Sequence, residues 1–460
     1  MSKRISVFLV ILLVVLSLLS AEESQPAQGT IQTPPVNLGQ AQLEDTVGSL
    51  LEGTATSDGF FSLSFAPDFT FGKLSFQLAL KLQGQATNNP VDLSFDFSDW
   101  ALRPKTAEET TADYLFAALA QYSSFIRYIQ WGERYEDIYI RYGKLAGITL
   151  GDGAILNGFF DWGVDSHATR PGLDVAIDGN LLHIPNAGFE FVTNDLFEPT
   201  LSAWRVYARP FYPYENSFFA NMEVGVSYAE NPSASFAEGS DDSHHTRKLI
   251  AIDLGIPLLK REFFNLAFFS DLLVQTPGAN TPAPGIATRY GIWGHSKSFF
   301  IFNTSLTIPS FGTYYPDYFD SGFEALTAED RENSVLEIGS MRIDALAGLN
   351  FTRLGAYLRA NIRSDYSDGN FFNYKFLANA RIDKRLFNIV SLDLSYEKLY
   401  PTSTDEAFFE GLSTLRNVDI EASAIIKVKP YSFTIGLSMI FDEQAKSTLV
   451  VDTAVRIAIL

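Results

Sequence analysis

The sequence predicts an all-β fold, an antiparallel transmembrane β-barrel of roughly 16–20 strands with short periplasmic turns and longer extracellular loops. Three observations predict it. Apolar and polar residues alternate along many segments, and a secretory signal precedes those segments. The chain also carries 39 Phe and 20 Tyr, more aromatic surface than a soluble domain usually needs.

The alternation is clearest in residues 73–83, which read KLSFQLALKLQ. Successive side chains of a strand point to opposite faces, so one face of this segment is apolar and the other is mostly polar. The apolar set is Leu74, Phe76, Leu78, Leu80 and Leu82. The same period of two recurs in residues 60–71, 91–98, 354–363, 417–428, 433–441 and 449–459. Repeated strands with one apolar face are typical of a barrel wall in lipid.

The N-terminal 59 residues differ from the rest and divide into two parts. Residues 1–21 carry Lys3 and Arg4 before a short apolar run and are predicted to be a signal peptide. Residues 22–59 are predicted to be a periplasmic linker or a plug-like segment, and residues 60–460 the barrel. Within the middle part, a helical spacing predicts a short amphipathic helix that either stays in the periplasm or docks in the lumen. Its residues are Leu43, Val47, Leu50 and Leu51.

Composition excludes several function classes. The chain has no cysteine, so disulfides, thiolate metal sites and a lipidated cysteine are excluded. It has 34 basic and 54 acidic residues, a net charge of −20, and no basic stripe that would bind nucleic acid. No metal site, cofactor or catalytic residue is predicted.

The predicted connections alternate between short and long, as they do in bacterial barrels. The long ones lie near residues 99–123, 144–171, 229–247, 309–333 and 399–415. The strand count has one inconsistency. With an even number of strands counted from Phe60, the first and the last strand should end on opposite sides of the membrane, yet the turn at Gly72 and the end of the last strand both fall on the periplasmic side. Either a strand is miscounted in residues 144–199, or a strand lies before Phe60.

From Phe60 onward the pattern resembles the outer-membrane β-barrel proteins of diderm bacteria, in the porin-like class, and is similar to aromatic-rich barrels of spirochaetes. The resemblance implies residence in an outer membrane, with membrane lipid, the barrel assembly machinery and small solutes as partners, and it leaves a homo-oligomer open. Members of the class usually end in an aromatic residue that helps the assembly machinery recognise the last strand. This chain departs from that pattern and ends in Leu460.

The polar face of the strands supplies the candidates for the pore lining. They are Lys81, Asp92, Asp96, Arg359, Arg363, Lys375, Arg381, Asp393, Glu397, Asp419, Glu421 and Arg456. Four basic residues at 359–381 precede four acidic residues at 393–421. Such an arrangement either sets a transverse field that favours polar or zwitterionic solutes, or forms salt bridges between neighbouring strands.

A glycine-rich stretch at residues 146–165 is a candidate constriction loop that folds into the lumen. It offers Asp152, Asp161 and Asp165 among flexible glycines. An ordinary outer loop or an irregular hairpin is the alternative, and the glycines do not form a phosphate-binding motif.

The predicted function is a porin or channel that passes small solutes, without enzymatic activity. Three alternatives stay open: a transporter of hydrophobic compounds closed by an N-terminal hatch, a surface adhesin or structural barrel without transport, and a secreted β-rich protein outside any membrane. Conductance of the purified protein would distinguish the porin from the transporter that is closed by a hatch.

Overall fold

The fold was analysed on a computed structural model. It describes residues 49–55, 60–88, 91–96, 104–105, 110–123, 125–134, 136–145, 147–159, 171–179, 184, 186–197, 199–212, 219, 221–231, 248–261, 263–276, 284–296, 299–316, 318–319, 335–351, 355–367, 369–382, 389–399, 411–412, 414–428, 431–442 and 444–457. The predicted signal peptide and most of the predicted linker therefore lie outside the described residues.

The described residues form a sheet of 23 strand segments, and every strand pair among them is antiparallel. The strands are β1 Ser49–Ala55, β2 Phe60–Ala66, β3 Asp68–Phe71, β4 Leu74–Leu78, β5 Leu80–Asn88, β6 Val91–Asp96, β7 Ile126–Trp131, β8 Ile138–Gly143, β9 Gly172–Asp178, β10 Ala187–Thr193, β11 Ser202–Ala208, β12 Glu223–Glu230, β13 Lys248–Lys260, β14 Phe264–Gln275, β15 Gly285–Ser296, β16 Phe300–Phe311, β17 Met341–Phe351, β18 Ala356–Ser367, β19 Asn370–Ile382, β20 Val390–Leu399, β21 Val418–Val428, β22 Tyr431–Phe441 and β23 Ser447–Ile457. A helix, α1, spans Thr111–Ser123. The predicted all-β antiparallel fold is confirmed.

Three pairs of segments are interrupted strands, which brings the wall to about 20 strands. β2 and β3 are separated only by Pro67, and β4 and β5 only by Ala79. β6 pairs with β5 and β7 pairs with β4, so both lie along the same edge of one long strand. The chain leaves that edge after β6 and returns to it at β7, with α1 in between.

The segments are linked in one path of hydrogen-bonded pairs. It runs from β3 through β4, β7 and β8 to β23, and then through β1, β2 and β5 to β6. Among the described residues, β3 and β6 end the path and do not pair with each other, so the described segments do not form a closed ring. The backbone N–H of Ala79, between β4 and β5, donates to the carbonyl of Phe125 at 2.7 Å. This bond links the long strand to the residue before β7, beside the end of α1.

The first strand corrects the predicted N-terminal boundary. β1 pairs with β2 on one side and with the last strand, β23, on the other. Leu50 and Leu51 therefore belong to the sheet and not to an amphipathic helix, while Leu43 and Val47 lie outside the described residues. β1, which lies before Phe60, also removes the inconsistency in strand direction. It starts beside the end of β23 and runs antiparallel to β2, so the Gly72 turn and the end of β23 lie at the same end of the sheet.

We call that end the turn end and the opposite one the loop end. The connections β8–β9, β12–β13, β16–β17 and β20–β21 all lie at the loop end, and each is longer than the β11–β12 connection, the longest at the turn end. The connection predicted as a loop near residues 99–123 instead contains α1, because residues 111–123 include good helix formers such as Ala and Leu. Within the described residues, no helix has the length and apolar character needed to cross a membrane.

Candidate functional site

The two faces of the sheet differ in chemistry in the way the sequence alternation predicts. In β13, Ile250 and Ile252 are exposed, at 42% and 48%, whereas the alternate residue Asp253 is 5% exposed. The neighbouring strands repeat this, with Leu272 exposed beside buried Asp271 and with Ile292 exposed. The polar face is therefore the inner one, and the outer face is a band of exposed apolar side chains.

The segment that follows β8 folds across the inner face. Residues 145–159 include three side chains that are fully buried, Leu145, Leu156 and Phe159. At its tip, Asp152 Oδ1 lies 3.4 Å from Arg289 Nη1 on β15. β15 is seven strand-to-strand steps from β8, about 34 Å along the wall at ~4.8 Å per step. The segment thus reaches it through the enclosed space, and we call residues 145–159 the infolded loop.

The infolded loop is fixed to the wall by its backbone as well. The N–H of Gly151 donates to Glu190 Oε2 on β10 at 3.3 Å, and Arg134 donates to the carbonyl of Thr149 at 2.9 Å. Gly151 has a positive φ of 56°, and a Cβ built there would lie 2.7 Å from Nε of Arg205. Only glycine fits this close approach without strain.

Beneath the loop tip, charged side chains from neighbouring strands form a belt of buried ion pairs. Arg205 on β11 is its centre: Nη2 lies 2.8 Å from Glu223 Oε1, and Nε donates to Asp253 Oδ2 at 3.1 Å. Glu190 is also within 3.7 Å of Arg205. A glycine at 225 keeps room for this pairing, since a Cβ there would lie 2.8 Å from Nε of Arg205.

The belt continues on both sides of Arg205. Arg134 pairs with Asp174 at 2.8 Å, and Arg289 lies 3.3 Å from Asp271 and stacks 4.7 Å over the Phe269 ring. The charged belt is thus Arg134, Asp152, Asp174, Glu190, Arg205, Glu223, Asp253, Asp271 and Arg289. Each of its arginines faces two or more carboxylates. Buried charges persist only when paired in this way.

Above the belt, toward the loop end, lies a continuous apolar cluster that we call the apolar seal. It joins the infolded loop to the β16–β17 connection and to one arc of the wall. Its members are Leu145, Ile148, Leu150, Ile155, Leu156, Phe159, Val192, Leu201, Ala203, Ala229, Leu249, Ala251, Leu273, Ala287, Tyr314, Tyr315, Tyr318, Phe319 and Leu336. The belt and the seal line the inner side of β9–β15, with the infolded loop after β8 and the β16–β17 connection packed over them. We call β8–β17 the filled arc.

The inner side of β18–β22 is different, and we call it the open arc. Lys375 Nζ and Glu397 Oε1 pair at 2.9 Å, yet their side chains remain 42% and 35% exposed. Glu421 is exposed, and Asp419 is only partly buried. Arg359 is partly buried and stacks over Tyr357, 4.5 Å from the ring centre.

Several predicted lining residues meet as cross-strand pairs. Besides Lys375 with Glu397, Arg381 lies 3.4 Å from Asp393. Arg363 pairs at 2.6 Å with Asp344 of β17, a residue outside the predicted set. Asp419 accepts a hydrogen bond from Ser438 at 3.4 Å. The salt-bridge interpretation of this face therefore describes three of its basic residues, and their partners lie on adjacent strands.

Other predicted residues are located only in part. Lys81 lies in β5, Asp92 and Asp96 in β6, and Arg456 in β23, and their side chains are outside the described part of the structure. Of the three aspartates predicted for the constriction loop, Asp152 sits at the tip of the infolded loop. Asp161 and Asp165 lie outside the described residues.

The charged belt itself was missed from sequence. Arg205, Asp271 and Arg289 are each the single Asp, Glu, Lys or Arg of their strand. Asp253 is the single one between the two terminal lysines of KLIAIDLGIPLLK. A lone charge on the inner face of an apolar strand was the available signal, since such a charge needs a partner. The described residues contain no group of three side chains suited to a metal ion.

No protein-family model and no curated protein matches the chain. Solved structures overlap with it loosely. CdiB from Acinetobacter baumannii is 5% identical with a TM-score of 0.31, covering 89% of this chain, which spans 59% of CdiB. Wzi from Escherichia coli, an outer-membrane protein described as a carbohydrate-binding β-barrel, is 9% identical with a TM-score of 0.34, covering 89% of this chain and 82% of Wzi. A mutant of the Rh. blastica porin is 10% identical with a TM-score of 0.27, covering 89% and 97%. TM-scores this low decide neither family nor function.

Proposed function

We propose that the protein is an outer-membrane β-barrel of a diderm bacterium that passes small polar solutes through a lumen narrowed by the infolded loop. Passage follows the open arc, between the loop tip and the accessible charges Lys375, Glu397 and Glu421 of β19–β21. The proposal includes insertion by the barrel assembly machinery, and it leaves a homo-oligomer open.

The membrane location is supported by the outer face. Strands β13–β23 are 10–13 residues long, against the 9–11 that cross a bilayer when tilted. Exposed apolar side chains cover them, such as Ile252, Leu272, Leu394 and Leu437. In water a surface of this kind would drive aggregation, whereas in lipid it is the stable arrangement.

The passage is supported by one observation above all: among the described side chains of the inner face, an accessible ion pair, Lys375 with Glu397, lies in the open arc. Side chains in the charged belt are buried, such as Arg205 at 4% exposed, and a solute could reach them only by breaking ion pairs. Lys375 and Glu397 remain about two-fifths exposed and present both signs of charge. Such a lining favours solutes that are polar, charged or zwitterionic over apolar ones.

The proposal is tested by conductance. The protein, purified in detergent and inserted in a planar bilayer, should give steady ion currents. Lys375→Gln should shift the ion preference toward cations and Glu397→Gln toward anions, because each removes one sign of charge from the passage. Arg342→Lys, at a buried ion pair of the filled arc, is the control and should leave the preference unchanged.

A barrel that inserts but stays silent at all voltages would overturn the passage and favour a hatch, an adhesin or a structural barrel. A protein that stays folded and monodisperse without detergent would overturn the membrane location.

A further inference from the structure

Helix α1 has an unusual distribution of exposure. Among its described side chains, two leucines and a tyrosine are accessible: Leu115 is 56% exposed, Leu119 52% and Tyr122 44%. They lie at spacings of four and three residues, so they form one stripe. The partly buried residues of the helix include two alanines and a glutamine, at positions 117, 118 and 121. A helix packed on a protein in water normally hides leucine and shows glutamine.

The helix lies beside the outer face of the wall. Arg141 and Tyr139 of β8 share the inner side with Asp174, and the alternation of the strand therefore places Tyr142 on the outer side. The Tyr142 side chain is hydrogen-bonded to Ser123, the last residue of α1. The C-terminal end of the helix is thereby tied to the outer face at the upper end of β8.

The wall is low at this position. Strands β8–β12 have 6–8 residues, whereas β13–β23 have 10–13. At ~3.3 Å per residue and a tilt of about 45°, the shorter strands rise about 14–19 Å, below the apolar band of about 25 Å that a barrel presents to lipid. The missing height is about 6–11 Å, close to the ~10–12 Å diameter of one helix.

An edge of the sheet also ends here. Among the described residues β6 pairs only with β5, so its other edge has no strand partner next to the short β8. Unpaired strand edges are not tolerated in contact with lipid unless protein covers them. The chain between β6 and β7, which contains α1, leaves and returns at this edge.

From these observations we infer that α1 is an interfacial membrane helix: it lies against the low part of the wall and inserts its Leu115–Leu119–Tyr122 stripe among lipid acyl chains. The occupant of the stripe is lipid because the stripe continues the apolar outer band of the wall. This inference rests on the membrane location proposed above.

Single-cysteine labelling tests it directly, since the chain contains no cysteine. Leu115→Cys and Leu119→Cys, labelled with a polarity-sensitive fluorophore, are reconstituted in phospholipid vesicles. A quencher carried on acyl chains should cause a roughly twofold or greater loss of fluorescence, while iodide in water should have little effect. Ile252→Cys on the outer wall is the lipid-facing control, and Glu421→Cys on the inner face is the water-facing control.

The controls separate the two proposals. If Ile252→Cys is not quenched from lipid, the membrane location itself fails. If Ile252→Cys is quenched but both helix labels respond only to iodide, the stripe faces water and the inference is overturned. Helix labels shielded from both quenchers would show that protein covers the stripe, such as a second copy of the chain, and would overturn it equally.

Discussion

The filled arc and the open arc are both built from antiparallel strands. They differ in the exposure of the charged side chains on their inner faces. In the filled arc, Arg205 and Arg289 are buried among carboxylates, and the infolded loop and apolar seal lie over them. In the open arc, Lys375 and Glu397 form one pair that water still reaches. The ion pairs under the infolded loop serve stability, whereas Lys375 and Glu397 remain available to solutes. Burial is not confined to the filled arc, since the Arg381–Asp393 pair of the open arc is only 10% and 12% exposed.

The largest effect is expected from Arg205→Ala in the filled arc. The change leaves Glu190, Glu223 and Asp253 buried without their shared cation, which should lower the free energy of unfolding by about 3–5 kcal/mol. Denaturant unfolding in detergent, followed by tryptophan fluorescence, measures it. A loss below that of Lys375→Ala would contradict the distinction between the arcs.

Gly151→Ala should have an intermediate effect. The new Cβ would meet the Arg205 side chain, and a non-glycine residue at positive φ is strained by about 1–3 kcal/mol. The infolded loop should loosen, so thermal stability should fall and single-channel conductance should rise.

Gly255→Ala is the matched control for that change. A Cβ at Gly255 meets nothing within 4 Å, and we expect stability and conductance close to those of the unchanged protein. Equal effects of the two substitutions would show that the contact between the loop and Arg205 does not hold the loop.

The smallest effect on stability is expected in the open arc. Lys375→Ala removes an accessible ion pair, and such pairs contribute at most about 1 kcal/mol. Its Tm in detergent should change little, and the difference should disappear at high salt because salt screens exposed charges. A large, salt-independent drop in Tm would mean that this pair is as buried in solution as the charged belt.

The order of these effects could not be read from sequence. The lone arginines of β11 and β15 look no more important than Lys375 until the strands are paired, because burial comes from the loop that crosses above them. The infolded loop was one of two interpretations of its glycines, and the contact between Asp152 and Arg289 joins residues 137 positions apart.

Two predictions of secondary structure were wrong for local reasons. Residues 49–55 contain a leucine pair that fits both a short helix and a short strand, and only pairing with β2 and β23 selects the strand. Helix α1 was predicted as part of a loop because it lies between β6 and β7. No pattern in residues 91–131 indicates that these two segments share one partner strand.

The sequence by itself determined the all-β fold and the two faces of most strands, because the alternation of side chains is a local property with a period of two. Tertiary structure alone decided which charges are buried, which arc is filled, and where the wall is low enough for α1 to lie beside it. Those features depend on contacts between strands and loops far apart in the chain, and burial, which sets the energetic weight of every charge here, exists only once those contacts form.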